Sequence, residues 1–372
     1  MLYLDNAATT HIHQEVFLEM EKSLFAYGNS EAKFYPQAED AKKLISEARG
    51  KIAHIINAQN SNEIVFTSGA TEANNLVLKG VAFASKREHK RIIISSIEHS
   101  SIYDTCEFLK KQGIDVVCVP VDETGTIRYD SLEDLIDDNT ILVSIIAVNN
   151  EIGTIQDLSR INDICQRKGI PFHTDATQAI GKIRIDVTKY EALKFLTFTA
   201  HKIYGPKGIG CLFVKNDQNG LKPRMMPLLH GGEQEEGIRA GTLPNFLIVG
   251  FGKACEIAER DYDRNVEMNH RYEQILWEKL KKRFGEKIVL NNEHNNRISG
   301  LLNIRFVGYN NMVLLKAMAP IIAASTGSAC SVSKPSRILK QIGLSDEEIS
   351  ESIRLSCSPY MDEGDFGEID KL

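Results

Sequence analysis

Lys202 is the residue whose type and setting most invite chemistry. It lies in Thr199-Ala-His-Lys-Ile-Tyr-Gly-Pro-Lys-Gly208, just after the apolar run 195–198, where a buried strand emerges into a loop. Partial burial there lowers an ammonium pKa and makes the amine an imine-forming nucleophile. Taken alone, a loop lysine beside a Gly-Pro turn is more often ordinary surface. The other predicted strand ends shift that balance, because ligands of open α/β sheets bind beyond the carboxyl ends of the strands. Those ends carry residues 68–72 (Ser-Gly-Ala-Thr-Glu), Glu98-His99, Asn149-Asn150-Glu151, Asp175 to Gln178, and His201-Lys202.

Together they offer an anion cradle of small residues at a helix start, an aromatic cap, hydrogen-bond donors, a carboxylate and an amine. Pyridoxal 5'-phosphate needs that set: a held phosphate, a stacked ring, a ring nitrogen kept protonated, and an aldehyde taken by lysine. Each piece also has a plain structural explanation. His99 could be a satisfied core histidine, Asp175 a helix cap, and residues 68–71 a helix start with no ligand. Gly205-x-x-Gly208-x-Gly210 reverses the dinucleotide fingerprint and sits between strands, which argues against a nicotinamide site. His11 and His13 have no nearby set to complete a metal site, and none is expected.

The elements that must position these residues follow from periodicity. Helices are predicted over 14–25, 37–56, 101–111 and 158–168, and strands over 63–66, 91–94, 116–119, 141–148, 170–174, 195–198 and 210–214. Strands alternating with helices imply an α/β fold with a mainly parallel sheet between helices. At 372 residues the chain exceeds one core. An apolar helix around 246–258 gives way to a charged one over 260–284 that holds the only tryptophan, Trp277. The expected division is a large domain of residues 14–259 and a small α/β domain of residues 1–13 and 260–372. A net charge of −6 with interleaved signs gives no footprint for direct nucleic-acid binding, and no apolar run is long enough for a membrane. The N-terminus lacks a signal-peptide pattern, so a cytoplasmic protein is expected. Seven cysteines without zinc-like spacing read mostly as buried thiols.

Nine stretches, in order and nearly end to end, resemble the cysteine desulfurases: residues 3–10 (Tyr-Leu-Asp-Asn-Ala-Ala-Thr-Thr), 66–75, Glu98-His99, 149–153, 173–178, 201–208, 239–242, 325–330 (Ser-Thr-Gly-Ser-Ala-Cys) and 352–356. The Gly-Ser-Ala-Cys setting of Cys330 is similar to the NifS/IscS-like branch, within the class V aminotransferase family and the type I pyridoxal-phosphate fold. The resemblance implies that Lys202 forms the imine with the cofactor, Asp175 pairs with its ring nitrogen, His99 stacks on the ring and relays protons, and Asn150 and Gln178 bond near the ring oxygen. It assigns the phosphate to Ala70, Thr71, Thr199, His201 and Thr242 of the partner subunit, which makes a homodimer part of the expectation. The substrate carboxylate would meet Arg354 and Asn29, since a guanidinium offers a bidentate fork.

The implied reaction converts L-cysteine to L-alanine and leaves a persulfide on Cys330, which passes to a sulfur-acceptor protein. The small residues 326–329 suit a cysteine that must move. Cys357 is a rival thiol. The segment 331–335 is shorter than the usual loop, Glu233 and Glu236 replace an expected Gly and Arg, and the chain closes without a long tail after Ser358. These departures widen the acceptor choice from an iron-sulfur scaffold to tRNA thiolation or DNA phosphorothioation. A selenocysteine lyase or another class V transaminase, and a catalytically silent sulfur-relay partner, are the alternative readings.

Overall fold

The computed structural model describes residues 1–32, 34–293, 296–327 and 335–371. Twelve strands are present among them: β1 Leu2–Tyr3, β2 Ile64–Thr67, β3 Arg91–Ser95, β4 Asp115–Val119, β5 Thr140–Ser144, β6 Phe172–Asp175, β7 Leu193–Thr199, β8 Gly210–Val214, β9 Ile288–Leu290, β10 Leu301–Phe306, β11 Ile322–Ala323 and β12 Ser352–Ser356. Seven form one sheet in the order β2-β8-β7-β6-β5-β3-β4. Only β8 runs against its neighbours. The predicted mainly parallel α/β sheet is therefore present, with the expected β7–β8 pair on either side of Lys202.

Alternation along the strands explains why both faces are covered. Ile64 and Phe66 of β2, Ile93 of β3 and Phe213 of β8 join one apolar cluster. Val65, Ile92, Ile94, Leu212 and Val214 point the other way into a second cluster. Helices α1 (Gln14–Ser23) and α2 (Pro36–Ile55), with the later helix Asn245–Arg260, cover the first face. The approach is close at Gly252, where a Cβ would stand 2.7 Å from Ala48 Cα, so a side chain there would force the helices apart. Helices α3 (Ala70–Ala84) and α4 (Ser100–Lys111) cover the second face. A third cluster gathers Leu2 and Leu4 with Leu276, Leu280, Ile304, Ile353 and Phe366, around the three-stranded sheet β12-β10-β9.

One strand is shorter than its apolar pattern predicts. β5 ends at Ser144, although the Ile145 and Ala147 N–H groups still donate to the His173 and Asp175 carbonyls of β6; past them comes a turn in which Asn149 Oδ1 accepts the N–H groups of Glu151 and Ile152. This turn carries Asn150. The helices Tyr129–Leu135, Asn311–Met318 and Asp346–Ser350 and the strand β9 were not apparent from periodicity, being short elements with few apolar repeats.

Candidate active site

The carboxyl ends of the sheet's parallel strands open onto a cavity of about 1040 Å³. Ala70, Thr71, His99, Asn150, Asp175, Gln178, Thr199, His201, Lys202 and Arg354 all line it, drawn from segments spread over the chain. Asn29 and Thr242 do not; both are exposed. Cys330 lies outside the described residues, while Gly327 and Pro335 on either side of it line the cavity.

Lys202 sits in a single 3₁₀ turn after β7, and its Nζ donates to the carbonyls of Ala7 and Ala8 at 2.6 Å each. Asp175, at the end of β6, is fixed on both oxygens: Oδ1 accepts the Thr177 N–H at 2.9 Å and Oδ2 accepts from Asn74 Nδ2 at 2.8 Å. Asn74 Oδ1 in turn accepts the Thr197 hydroxyl, and its amide also donates to Ser101 Oγ at 2.9 Å. Ser101 Oγ meets His99 Nδ1 at 2.9 Å, and His99 caps α4 by accepting the Ser101 N–H. A buried chain of hydrogen bonds thus joins the carboxylate to the imidazole. Burial lowers the His99 pKa against the opposing pull of Asp175, which keeps the imidazole neutral. Glu98 beside it is buried and pushed up to about 8 by desolvation, with Oε1 accepting from Ser95 and from the Ile146 N–H.

At the start of α3 the Gly69-Ala70-Thr71 backbone presents first-turn N–H groups that have no intrahelical acceptor. Glu72 is turned to the Ser68 N–H and to Arg239 at 2.9 Å, which takes its charge away from that cradle. Among the described residues, Asn150 Oδ1 is buried without a partner, as is Arg354 Nε. Arg354 is 2% exposed, and its terminal nitrogens are engaged by the carbonyls of Asn150 and Gly327, by Asp5 Oδ1 at 2.8 Å and by Ser325 Oγ at 3.0 Å.

The pattern-based reading missed Asn74, Ser101 and Thr197. Asn74 lies one turn after Ala70, Ser101 two residues after His99, and Thr197 two before Thr199 on the same strand face; those spacings were the available signal. It also missed Arg337, whose guanidinium donates to the carbonyls of Ser96 and Glu98 and lies 4.1 Å over Tyr103 at the cavity edge. The rival thiol, Cys357, is buried and its pKa is raised by desolvation, so it is held as an unreactive thiol. His13 caps α1, and both His11 and His13 pack edge-on against Tyr360, which accounts for that pair.

A mainly parallel sheet with a lysine, a braced carboxylate and an anion cradle at its strand ends is the architecture of the type I pyridoxal-phosphate enzymes. The family model of the class-V aminotransferases matches residues 2–371. Cysteine desulfurase IscS of Plasmodium falciparum (isolate 3D7) is 40% identical over 364 residues, covering 96% of this chain; the chain spans 65% of that protein's length. Cysteine desulfurase IscS of Buchnera aphidicola subsp. Acyrthosiphon pisum (strain 5A) is 39% identical, with 100% of this chain and 91% of that protein covered. Among solved structures, a NifS-like protein superposes with a TM-score of 0.91 at 31% identity, covering 100% and 97% of the two chains. SspA in complex with cysteine does so with 0.85 at 36% identity, covering 97% and 100%. The chain belongs to the cysteine desulfurase family of class-V aminotransferases, whose members depend on pyridoxal phosphate.

Proposed function

We propose that the protein converts L-cysteine to L-alanine with pyridoxal phosphate and collects the sulfur on Cys330 for delivery to an acceptor protein. The observation that carries this reading is convergence: Lys202, Asp175 and His99 line one cavity with Gly327 and Pro335, the residues flanking the Cys330 segment. The residues present fit the cofactor. Ala70 and Thr71 at the α3 start, with Thr199 and His201, would hold its phosphate; Asp175 would hold the ring nitrogen, and the side-chain amide N–H groups of Gln178 and Asn150 would hold the ring oxygen. Bound there, the cofactor supplies an electron sink for the Cα–H bond that is broken.

The chain's own residues do the rest. Lys202 Nζ, at the cavity wall, would act as the base that takes the Cα proton. Neutral His99, which lines the same cavity, would accept a proton and return one. Arg354 holds the substrate carboxylate when one of its present partners gives way. A thiolate of Cys330 attacks the substrate sulfur: the Cβ–S bond breaks, an S–S bond forms, the thiol sulfur is oxidised to persulfide and Cβ is reduced to the methyl of alanine.

Thr242 is exposed and outside its own cavity, which supports a homodimer in which it completes the partner's phosphate site together with the exposed apolar residues Phe17, Leu18, Leu24 and Phe25 as contact surface. Asn29 is assigned to substrate within that assembly. The third apolar cluster supports a small domain of residues 1–13 and 260–372 beside a large one of 14–259. Six described cysteines remain free thiols, which supports a cytoplasmic setting. Among the described residues no helix is long and apolar enough to cross a membrane.

Purified protein supplied with pyridoxal phosphate should show a visible absorbance band and release alanine from L-cysteine. Lys202→Ala should lose the band. A band of equal intensity in that variant overturns the assignment.

A further inference from the structure

Lys182 is a second lysine close to Lys202, and no step above uses it. It ends a tight turn after β6 in which the Lys182 N–H donates to the Ala179 carbonyl at 2.9 Å, and Gly181 takes φ +76 to let the chain turn back. The four-residue spacing puts the Gln178 and Lys182 side chains on one side. Lys182 Nζ donates to Gln178 Oε1 at 2.6 Å, and Gln178 Nε2 donates to the Ala7 carbonyl at 2.8 Å. Lys202 donates to the same carbonyl at 2.6 Å.

These contacts settle which way the Gln178 amide faces. A lysine head group calls for an oxygen, and a carbonyl accepts only from an N–H. With Oε1 held by Lys182 and one amide hydrogen held by Ala7, the second amide hydrogen is left for a ligand. Gln178 is 2% exposed and lines the cavity. From this arrangement we infer that Lys182 is a positioning residue that fixes Gln178 as a hydrogen-bond donor toward an anionic oxygen in the cavity. Resting on the cofactor reading above, that oxygen is the ring oxygen of pyridoxal phosphate.

The surroundings of Lys182 suit a donor more than an ion-pair partner. The small cavity it shares with Lys202 is lined by Tyr204, Cys357 and Tyr360 and, among the described residues, by no carboxylate. The positive groups of Lys202, in the turn after β7, and of Arg354, in β12, act on it. Burial, followed by those two charges, lowers the Lys182 pKa to about 7.

The test uses the holoenzyme's visible band, titrated with pH. A donor on the ring oxygen favours the deprotonated chromophore and lowers its titration midpoint. Lys182→Met should raise the midpoint by at least about half a unit, the size of one hydrogen bond. Lys182→Arg, which keeps a donor, should restore it toward wild type, and Lys182→Met should add little in a Gln178→Ala background. A Lys182→Met midpoint equal to wild type, or an undiminished shift in the Gln178→Ala background, overturns the inference. A crystal structure of Lys182→Met separates this from the cofactor reading. The Gln178 amide should leave Ala7 or turn over; an unchanged amide overturns the role of Lys182 whether or not the cofactor binds.

Discussion

Asp175, at the end of β6, and Arg354, in the middle of β12, are both buried and face the same cavity, yet the chain prepares them in opposite ways. Asp175 is braced by neutral donors, Asn74 and the Thr177 N–H, and its charge is left for a ligand. Arg354 is already neutralised by Asp5 and tied to two carbonyls, one of them Gly327 beside the Cys330 segment. The half of the cavity that suits a resident cofactor is rigid in advance. On the proposed reading, the half for a passing substrate is held by contacts that a substrate carboxylate would replace. A fixed, hydrogen-bonded network costs no reorganisation when its ligand stays bound, whereas exchangeable contacts let a substrate enter and a product leave.

Breaking the rigid half should have the larger effect. Asn74→Ala removes the donor to Asp175 and strands the buried Thr197 hydroxyl, each such group costing about 1–3 kcal/mol. The expected outcome is a lower Tm, weaker pyridoxal phosphate retention in dialysis and a fall in kcat of roughly tenfold or more, with the KM for L-cysteine little changed. A KM effect without loss of cofactor retention would place Asn74 in the wrong half.

A smaller effect is expected in the exchangeable half. Asp5→Asn keeps an acceptor for Arg354 but removes the charge that competes with a substrate carboxylate. KM for L-cysteine should fall by about fivefold, equivalent to about 1 kcal/mol, with kcat changed less. An increase in KM would show that Asp5 helps to hold Arg354 in its binding orientation.

The smallest effect is a pH dependence of the cofactor-free protein. Burial lowers His173 and His201 to about 4 and depresses His99 as well, so between pH 6.5 and about 4 the unfolded chain binds more protons than the folded one. Their share of stability is complete above pH 6.5 and declines as the pH falls. Glu98, raised to about 8, works in the other direction above its ordinary value, offsetting part of the slope. Thermal melts should show Tm falling by several degrees from pH 6.5 to 4.5, and less in His173→Asn. A flat profile would mean that these imidazoles are not buried neutral.

The sequence made the sheet legible because each strand carries a run of apolar residues on both faces, and the site legible because its residues lie at the ends of those runs. Lys202, Asp175, His99 and the 68–71 cradle could be placed from that rule alone. What was not legible depends on contacts between distant segments. Asn74 braces Asp175 across 101 positions of chain, and Asp5 meets Arg354 across 349. No local periodicity marks such pairs. Short elements were also hidden, as in the helices Tyr129–Leu135 and Asp346–Ser350, whose few apolar repeats leave no period to read.

The most direct measurement is alanine and sulfide production from L-cysteine and a reducing thiol, followed in parallel for the wild-type holoenzyme and Cys330→Ala. Wild type should give alanine and sulfide in equal amounts. The variant should keep the visible absorbance band and lose sulfide release. Unchanged sulfide release by Cys330→Ala would contradict the account, leaving the cavity as a pyridoxal-phosphate site whose sulfur does not travel through Cys330.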